Sequence, residues 1–339
     1  VSSGSASIWH EFKRWFPGFF ISVIALLVLF RIAPLHDVVK AFSTIKLSHI
    51  IVGIFLTIVS LLTRAVAWRI LLQKQASLSE TFFGLNVGYL INNIFPLRAG
   101  ELARAYIVGL SSGLGSLYVF STIVIERAFD VAISAGLLLT TLPLALELAW
   151  AKPIALTTFV LVLVGLFTLY LVARNNQLIK RWVNRFGNRS EYIKRTILPR
   201  IDSLLDGFSI MTNLRQFFLS VFWIIITWVI WVLLYYVVLL SIAPEAPFWW
   251  AAFADGVLSM GIALPSAPGA LGILEAAIVG ALGILGIDPS TALAYAITMR
   301  IMQFTVTGIL GLIGIAKAGS SLGGIFSAIW KQKTADTSS

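Results

Sequence analysis

The chain contains no cysteine, which excludes disulfides, thiolate metal sites, cysteine nucleophiles and iron–sulfur clusters. Histidine is almost as scarce. His10, His36 and His49 are the whole set, so no histidine base or metal ligand lies deeper in the chain. Charge is thin as well: Asp, Glu, Lys and Arg make up 12% of the 339 residues, against about 25% in a soluble domain. What fills the chain instead is apolar, with 58% hydrophobic residues and a mean hydropathy of +0.93. Such an average requires several continuous runs of about 20 residues, each able to cross about 30 Å of hydrocarbon. A soluble enzyme is excluded, and an all-α polytopic membrane protein is expected. No phosphate loop, dinucleotide fingerprint or nucleophile elbow is present, and no cofactor or metal is expected.

Six spans are read at Pro17–Ala33, His49–Leu72, Leu117–Leu142, Pro153–Ala173, Phe217–Ile242 and Pro289–Ala316. Residues 34–48 are read as a short mixed loop. Between Arg174 and Arg215 lie nine of the 25 basic residues against Glu191, Asp202 and Asp206, a net +6. The positive-inside rule puts that segment in the cytoplasm. Two amphipathic pieces within it, Asn176–Phe186 and Tyr192–Met211, are expected to lie on the anionic inner leaflet. A nucleic-acid partner is not expected, because the basic segment is tethered between apolar spans. Residues 1–16 and 317–339 are then cytoplasmic ends of a membrane domain covering 17–316, in a prokaryotic cytoplasmic membrane.

Two hydrophobic regions are interrupted. In 77–116 the run Leu78–Phe95 carries Asn86, Asn92 and Asn93, then Pro96, Arg98, Gly100, Glu101 and Arg104. In 247–286 the breaks are Pro265, Pro268, Gly269 and Gly272, followed by Glu275. Each half-run is too short to cross, so each region is expected to form a re-entrant hairpin. Both place proline, then glycine four residues on, then glutamate. Paired broken segments in halves of opposite orientation are the sequence sign of an inverted-repeat transporter.

Eleven charged residues fall within the apolar regions: Arg64, Arg69, Arg98, Glu101, Arg104, Glu126, Arg127, Asp130, Asp255, Glu275 and Arg300. Each costs at least about 2.5–3.5 kcal/mol if left unpaired at the centre of a bilayer. They must therefore pair or line a wet cavity. Arg64 stands about 12 Å from the end of its span, and Glu126 and Asp130, four apart, share one helix face. All six cations are arginine, whose planar fork suits carboxylate and phosphate oxygens. Arg69 is read as snorkelling to the interface. Structural pairing and substrate contact both remain open for Glu126, Arg127 and Asp130. Two glycine series, Gly280/Gly283/Gly286 and Gly308/Gly311/Gly314, are read as close helix-packing faces.

The blocks Asn92–Arg104 (NNIFPLRAGELAR), Glu126–Asp130 (ERAFD) and Pro265–Glu275 resemble the signatures of the lysylphosphatidylglycerol synthase transmembrane region, or flippase-like, family. The resemblance covers about residues 15–320. It implies lipid translocation between leaflets, with an aminoacyl-phospholipid or a polyprenyl-phosphate-linked sugar as the class of cargo. Only about 23 residues follow Ala316, so a stand-alone member without the aminoacyl-transferring domain is expected, and synthase activity is not implied. The residues expected to meet the anionic headgroup are Arg64, Arg98, Arg104, Arg127 and Arg300. Glu101, Glu126, Asp130 and Glu275 would orient them or bind a cationic group or proton. Competing readings are an ion-coupled carrier of a small anion, a membrane-embedded transferase acting on a lipid phosphate, and a non-transporting partner of a lipid- or glycan-modifying enzyme.

Overall fold

Proline and glycine set the ends of the helices. A computed structural model describes residues 20, 22–95, 99–146, 151–187, 198–262 and 267–319, and every regular element among them is helical. Helix α1 (Ser22–Ile32) stops before Pro34, where the proline ring disfavours helical backbone in the preceding residue. The chain then bends by 81° into α2 (Leu35–Phe42). The segment read as a loop at 34–48 is thus mostly a helix. Its polar side chains His36, Asp37 and Lys40 stand apart from the buried Val38 and Ala41, an amphipathic pattern too short to register as a span.

Among the described residues, four helices are long and apolar enough to cross a membrane: α3 (Leu47–Leu71), α6 (Ser116–Ala145), α10 (Leu214–Leu239) and α13 (Pro289–Lys317). Between α3 and α6 lie α4 (Leu78–Ile94) and α5 (Ala99–Ser111). After α6 come α7 (Ala151–Arg174), α8 (Asn176–Gly187) and α9 (Leu198–Phe208), the last running through a 3-10 turn at Ser209–Thr212 into α10. Between α10 and α13 lie α11 (Phe248–Ile262), a 3-10 turn at Pro268–Ala270 and α12 (Ile273–Ile284). Counting each bent pair, α1–α2 and α7–α8, as one span brings the number of crossings to as many as six.

Capping explains where the broken helices start. Ser77 accepts a hydrogen bond from Glu80 N while Glu80 accepts one from Ser77 N, a capping box opening α4. Asp288 caps α13 through Thr291 N, with Pro289 in the first turn. Gly272, at φ +83°, leads into α12, and Glu275 reaches back to accept from its N–H. No side chain but hydrogen fits easily at that φ.

The packing is two-fold. The most extensive interface joins α3 to α10. His49 meets Ser241 at 2.7 Å near one end, and Thr227 donates to Thr63 at 3.0 Å about two-thirds of the way along α3, so the two helices run antiparallel. Helix α4 packs on α13, and α11 packs on α6; α2 packs on α13, and α9 packs on α6. Exchanging α2–α6 with α9–α13 thus reproduces the arrangement. Equivalent helices run in opposite directions, so the chain is an inverted repeat, with α1, α7 and α8 outside it.

Equivalent positions confirm the register. The twenty-second residue of α3 is Trp68 and of α10 is Tyr235; the seventh of α6 is Thr122 and of α13 is Tyr295. Trp68 Nε1 donates to Thr122 Oγ1 at 3.1 Å, and Tyr295 OH donates to the Tyr235 carbonyl at 2.8 Å. Likewise Gly311 lies against Asn86 of α4, and Gly256 of α11 against Leu138 of α6, two pairs that the exchange interconverts.

The glycine series divide unevenly. Gly311 and Gly314 do form a close face, pressed on α4 at Leu90 and Val87. Gly280, Gly283 and Gly308 meet no neighbour among the described residues, and Gly286, at φ +86°, sits in the turn after α12. Three residues advance 300° round a helix, so a three-residue series drifts off any one face. Of the six, Gly311 and Gly314 alone form a close packing face among the described residues.

Candidate functional site

Both interrupted regions are helical hairpins. In the first, Asn92 at the end of α4 accepts a hydrogen bond from Gly100 N at 2.8 Å, tying the two arms across the break. The arms touch backbone to backbone. A Cβ on Gly88 would stand 2.9 Å from the Gly100 carbonyl oxygen, and one on Gly100 would overlap the Gly88 carbonyl. Asn93 donates from Nδ2 to Thr307 of α13 at 3.3 Å. The second break comes to the first: a Cβ on Gly269 would lie 3.4 Å from the Asn93 carbonyl oxygen. About 170 residues of sequence therefore separate two breaks that are neighbours in space. Pro96, Arg98 and Pro265 lie outside the described residues.

Six of the charges form one network on α3, α5 and α6. Arg64 reaches Glu126 through Nε at 2.9 Å and Nη2 at 2.5 Å, and also bonds Asp130. Arg127 Nε lies 2.9 Å from Glu101 Oε1, and its Nη1 donates to Asp130 at 3.1 Å. Trp228 of α10 donates from its indole to the other Asp130 oxygen at 3.0 Å. Three cations thus face three anions, and the network is neutral. That neutrality is what permits it within an apolar bundle, where an uncompensated charge is costly.

Arg104 is the exception in quality of pairing. It is 2% exposed. Its Nη2 lies 3.3 Å from Glu126 Oε2, but neither atom has hydrogen-bond alignment, and Nε has no hydrogen-bond partner either. Its one hydrogen bond, Nη1 to Glu126 Oε1, is long at 3.5 Å. The guanidinium lies over the Trp68 ring at 4.8 Å, which holds it in place by cation–π attraction. A narrow crevice, too tight for a water molecule, lies beside it, lined by Gly88, Tyr89, Asn92, Gly100, Glu101 and Arg127 among others.

The second half holds a simpler pair. Arg300 of α13 bonds Glu275 of α12 through both Nε and Nη2, and donates to the carbonyls of Gly269 at 2.7 Å and Ala270 at 3.2 Å. Its fork is committed to the break, so Arg300 clamps the second hairpin shut. Arg69 donates to the Ala76 carbonyl at 3.1 Å, closing the turn after α3. Asp255 is buried in α11 and stands apart from both sets.

These pairs obey the repeat. Glu101 and Glu275 are the third residues of α5 and α12; Arg127 and Arg300 are the twelfth residues of α6 and α13. The remaining charges have neutral counterparts: Trp231 for Arg64, Ile278 for Arg104, Met299 for Glu126 and Gln303 for Asp130. Among the described residues no group of three or more His, Asp or Glu side chains is placed to hold a metal ion.

The structure brings Arg64, Glu101, Arg104, Glu126, Arg127 and Asp130 together, while Glu275 and Arg300 form a separate pair. Sequence reading missed Trp68, Trp228 and Tyr89. The signal for Trp228 was a tryptophan in the middle of a span, since a buried indole N–H needs an acceptor; Trp68, in the last turn of α3, reads from sequence as an interfacial aromatic.

Residues 15–311 match the family described as the lysylphosphatidylglycerol synthase TM region. Among relatives, a UPF0104 membrane protein of Methanocaldococcus jannaschii is 24% identical over 87% of this chain and 92% of its own. Another, of Pyrococcus horikoshii, is 23% identical over 88% of this chain and 95% of its own. The glycosyltransferase AglD of Haloferax volcanii is 23% identical over 88% of this chain but only 53% of its own. The chain belongs to the lysylphosphatidylglycerol synthase transmembrane-region family, as an integral membrane protein.

Proposed function

We propose that the protein moves a lipid with an anionic, phosphate-bearing headgroup between the leaflets of the membrane. One observation carries this reading. Arg104 is a buried guanidinium with unspent N–H donors beside a crevice at a helix break, in a network whose charges balance once Arg104 is counted. A phosphate oxygen is the partner that such a fork accepts best. Arg98, which the sequence puts between α4 and α5, supplies the positive charge that a bound phosphate would neutralise. Arg64 and Arg300, with their donors committed, position the crevice and the hairpins. Glu126 and Asp130 hold Arg64 and Arg127.

The family name supports an aminoacyl-phospholipid as cargo, and the glycosyltransferase relative supports a polyprenyl-phosphate-linked sugar. That relative also favours a second reading, a non-transporting partner of a glycan-modifying enzyme, since the matched region makes up about half of its chain. The test is translocation of a fluorescent anionic lipid in proteoliposomes, with thermal stability measured on the same samples. Arg98→Ala abolishes translocation, and Arg98→Lys, which keeps the charge but loses the fork, lowers it. Wild-type translocation by Arg98→Ala at unchanged stability would overturn the headgroup role. In this reading both termini and the 174–215 segment are cytoplasmic; labelling of Ser190→Cys by an impermeant reagent in intact cells would reverse that orientation.

A further inference from the structure

Asp255 is a buried charged residue that neither network uses. It is 1% exposed, and neither carboxyl oxygen has a hydrogen-bond partner among the described residues. Its own helix surrounds it with Ala251, Ala252, Phe253, Ala254 and Leu258, all buried. The titratable groups within electrostatic reach are Tyr235 of α10, Tyr295 of α13 and Asp130 of α6. None is a cation. Tyr295 OH is spent on the Tyr235 carbonyl and Tyr235 OH accepts from Gln303. Asp130 is itself an acid held by Arg64 and Arg127. Helix α12, also packed on α11, carries only Glu275, bound to Arg300.

An ionised carboxylate in such a place would lose its hydration with nothing in return, and the usual outcome is that the group takes a proton. The fold does not require an acid here. Asp255 is the eighth residue of α11, and the eighth residue of α4 is Leu85, equally buried. Yet Leu85 lines the crevice beside Arg104 and Arg127. In an inverted repeat the alternate state is reached when each half adopts the other's conformation. Asp255 then takes the place Leu85 holds now, on the wall of an opened crevice.

We propose that Asp255 is a proton-binding site, protonated in the present state and releasing its proton to water when the second hairpin opens. The reaction is carboxylate plus proton to carboxyl, with the proton drawn from water on one side of the membrane and released on the other. Resting on the lipid-translocation reading, this makes the protein a proton-coupled lipid carrier.

The direct test is infrared spectroscopy of the purified full chain in lipid. A protonated-carboxyl stretch present at neutral pH is lost in Asp255→Asn; an identical spectrum for both overturns the site. Asn matches the neutral acid in shape, so the variant folds, and Asp255→Leu, copying Leu85, serves as a second control. Coupling to conformation is read without any lipid by labelling of Ala267→Cys, at the second break, in this otherwise cysteine-free chain. Labelling rises several-fold more with pH in the Asp255 background than in Asp255→Asn, where only the thiol itself titrates; equal pH profiles overturn the coupling. In proteoliposomes, a pH gradient speeds translocation several-fold for the wild type and leaves Asp255→Asn unchanged. If the wild type moves no lipid, the translocation reading fails, while the infrared and labelling results still decide whether Asp255 binds a proton that controls the hairpin.

Discussion

The two halves share one architecture but not one chemistry. In the first, α3, α5 and α6 carry six interlocked charges; in the second, the equivalent helices keep only Glu275 and Arg300. The pair present in both, third residue of the short helix with twelfth residue of the long one, is what the hairpin needs in order to stay closed. The charges present in one half alone are not demanded by the fold, because Trp231, Ile278, Met299 and Gln303 stand in the same places and pack. Subtracting one half from the other therefore separates the charge that both hairpins share from the charge that only the first half carries. The remainder is Arg64, Arg104, Glu126 and Asp130.

Substitutions test that subtraction. The largest effect is expected at Glu126, 2% exposed and facing both Arg64 and Arg104. Glu126→Gln strands buried positive charge, a loss of about 3–5 kcal/mol for a broken buried pair, to be read as a fall in thermal midpoint in detergent. Full stability in this variant would show that the network is wet and loosely held. Next come the two equivalent glutamates. Glu275 is nearly buried, bonds Arg300 twice and caps Gly272, so Glu275→Gln costs about 1.5–3 kcal/mol, in line with hydrogen bonds to a charged group. Glu101 is more exposed, and Glu101→Gln costs about 1 kcal/mol or less. Equal losses at the two sites would show that the two pairs hold their hairpins equally.

The effect of Arg104→Lys is read in translocation rather than in stability. The substitution keeps charge against Glu126 but loses the fork, and translocation should slow about tenfold, or about 1.4 kcal/mol. The counterpart substitution Ile278→Val should leave translocation alone and cost about 0.5–1.5 kcal/mol of stability. If Ile278→Val slowed translocation as much as Arg104→Lys, the chemistry would belong to both halves. The smallest change is at Gly283, where nothing crowds a Cβ. Gly283→Ala should raise the thermal midpoint slightly, by up to about 1 kcal/mol of helix propensity, and a loss would reveal a packing partner on that face.

Much of this arrangement is legible before folding. Leucine- and isoleucine-rich runs mark α3, α6, α10 and α13, because length and apolarity alone decide what can cross a bilayer. The two hairpins are legible because proline and glycine interrupt runs too short to span. The short α2 was not, since eight amphipathic residues behind a proline carry the composition of a loop. At the site, the membership of Arg64, Glu126 and Asp130 follows from burying charge in apolar helices. Their pairing does not. Which arginine meets which carboxylate depends on the rotation of α3 against α6, which interhelical packing sets. The correspondence of Glu101–Arg127 with Glu275–Arg300 was half visible: the proline–glycine–glutamate pattern repeats in sequence, but its arginine partner lies 25 or 26 residues on, across a helix boundary.

The antiparallel contact of α3 with α10 has an ancestral meaning. A surface that packs against its own inverted counterpart is self-complementary, so two separate copies of one half, inserted in opposite senses, would form the same seam as an isologous dimer. Joining them in one chain fixes a one-to-one ratio of the two senses. It also frees each copy to diverge, and the basic stretch between the halves, with its net +6, then orients both at once. A fused dimer of this kind can keep its hinge in both copies and specialise its binding groove in one.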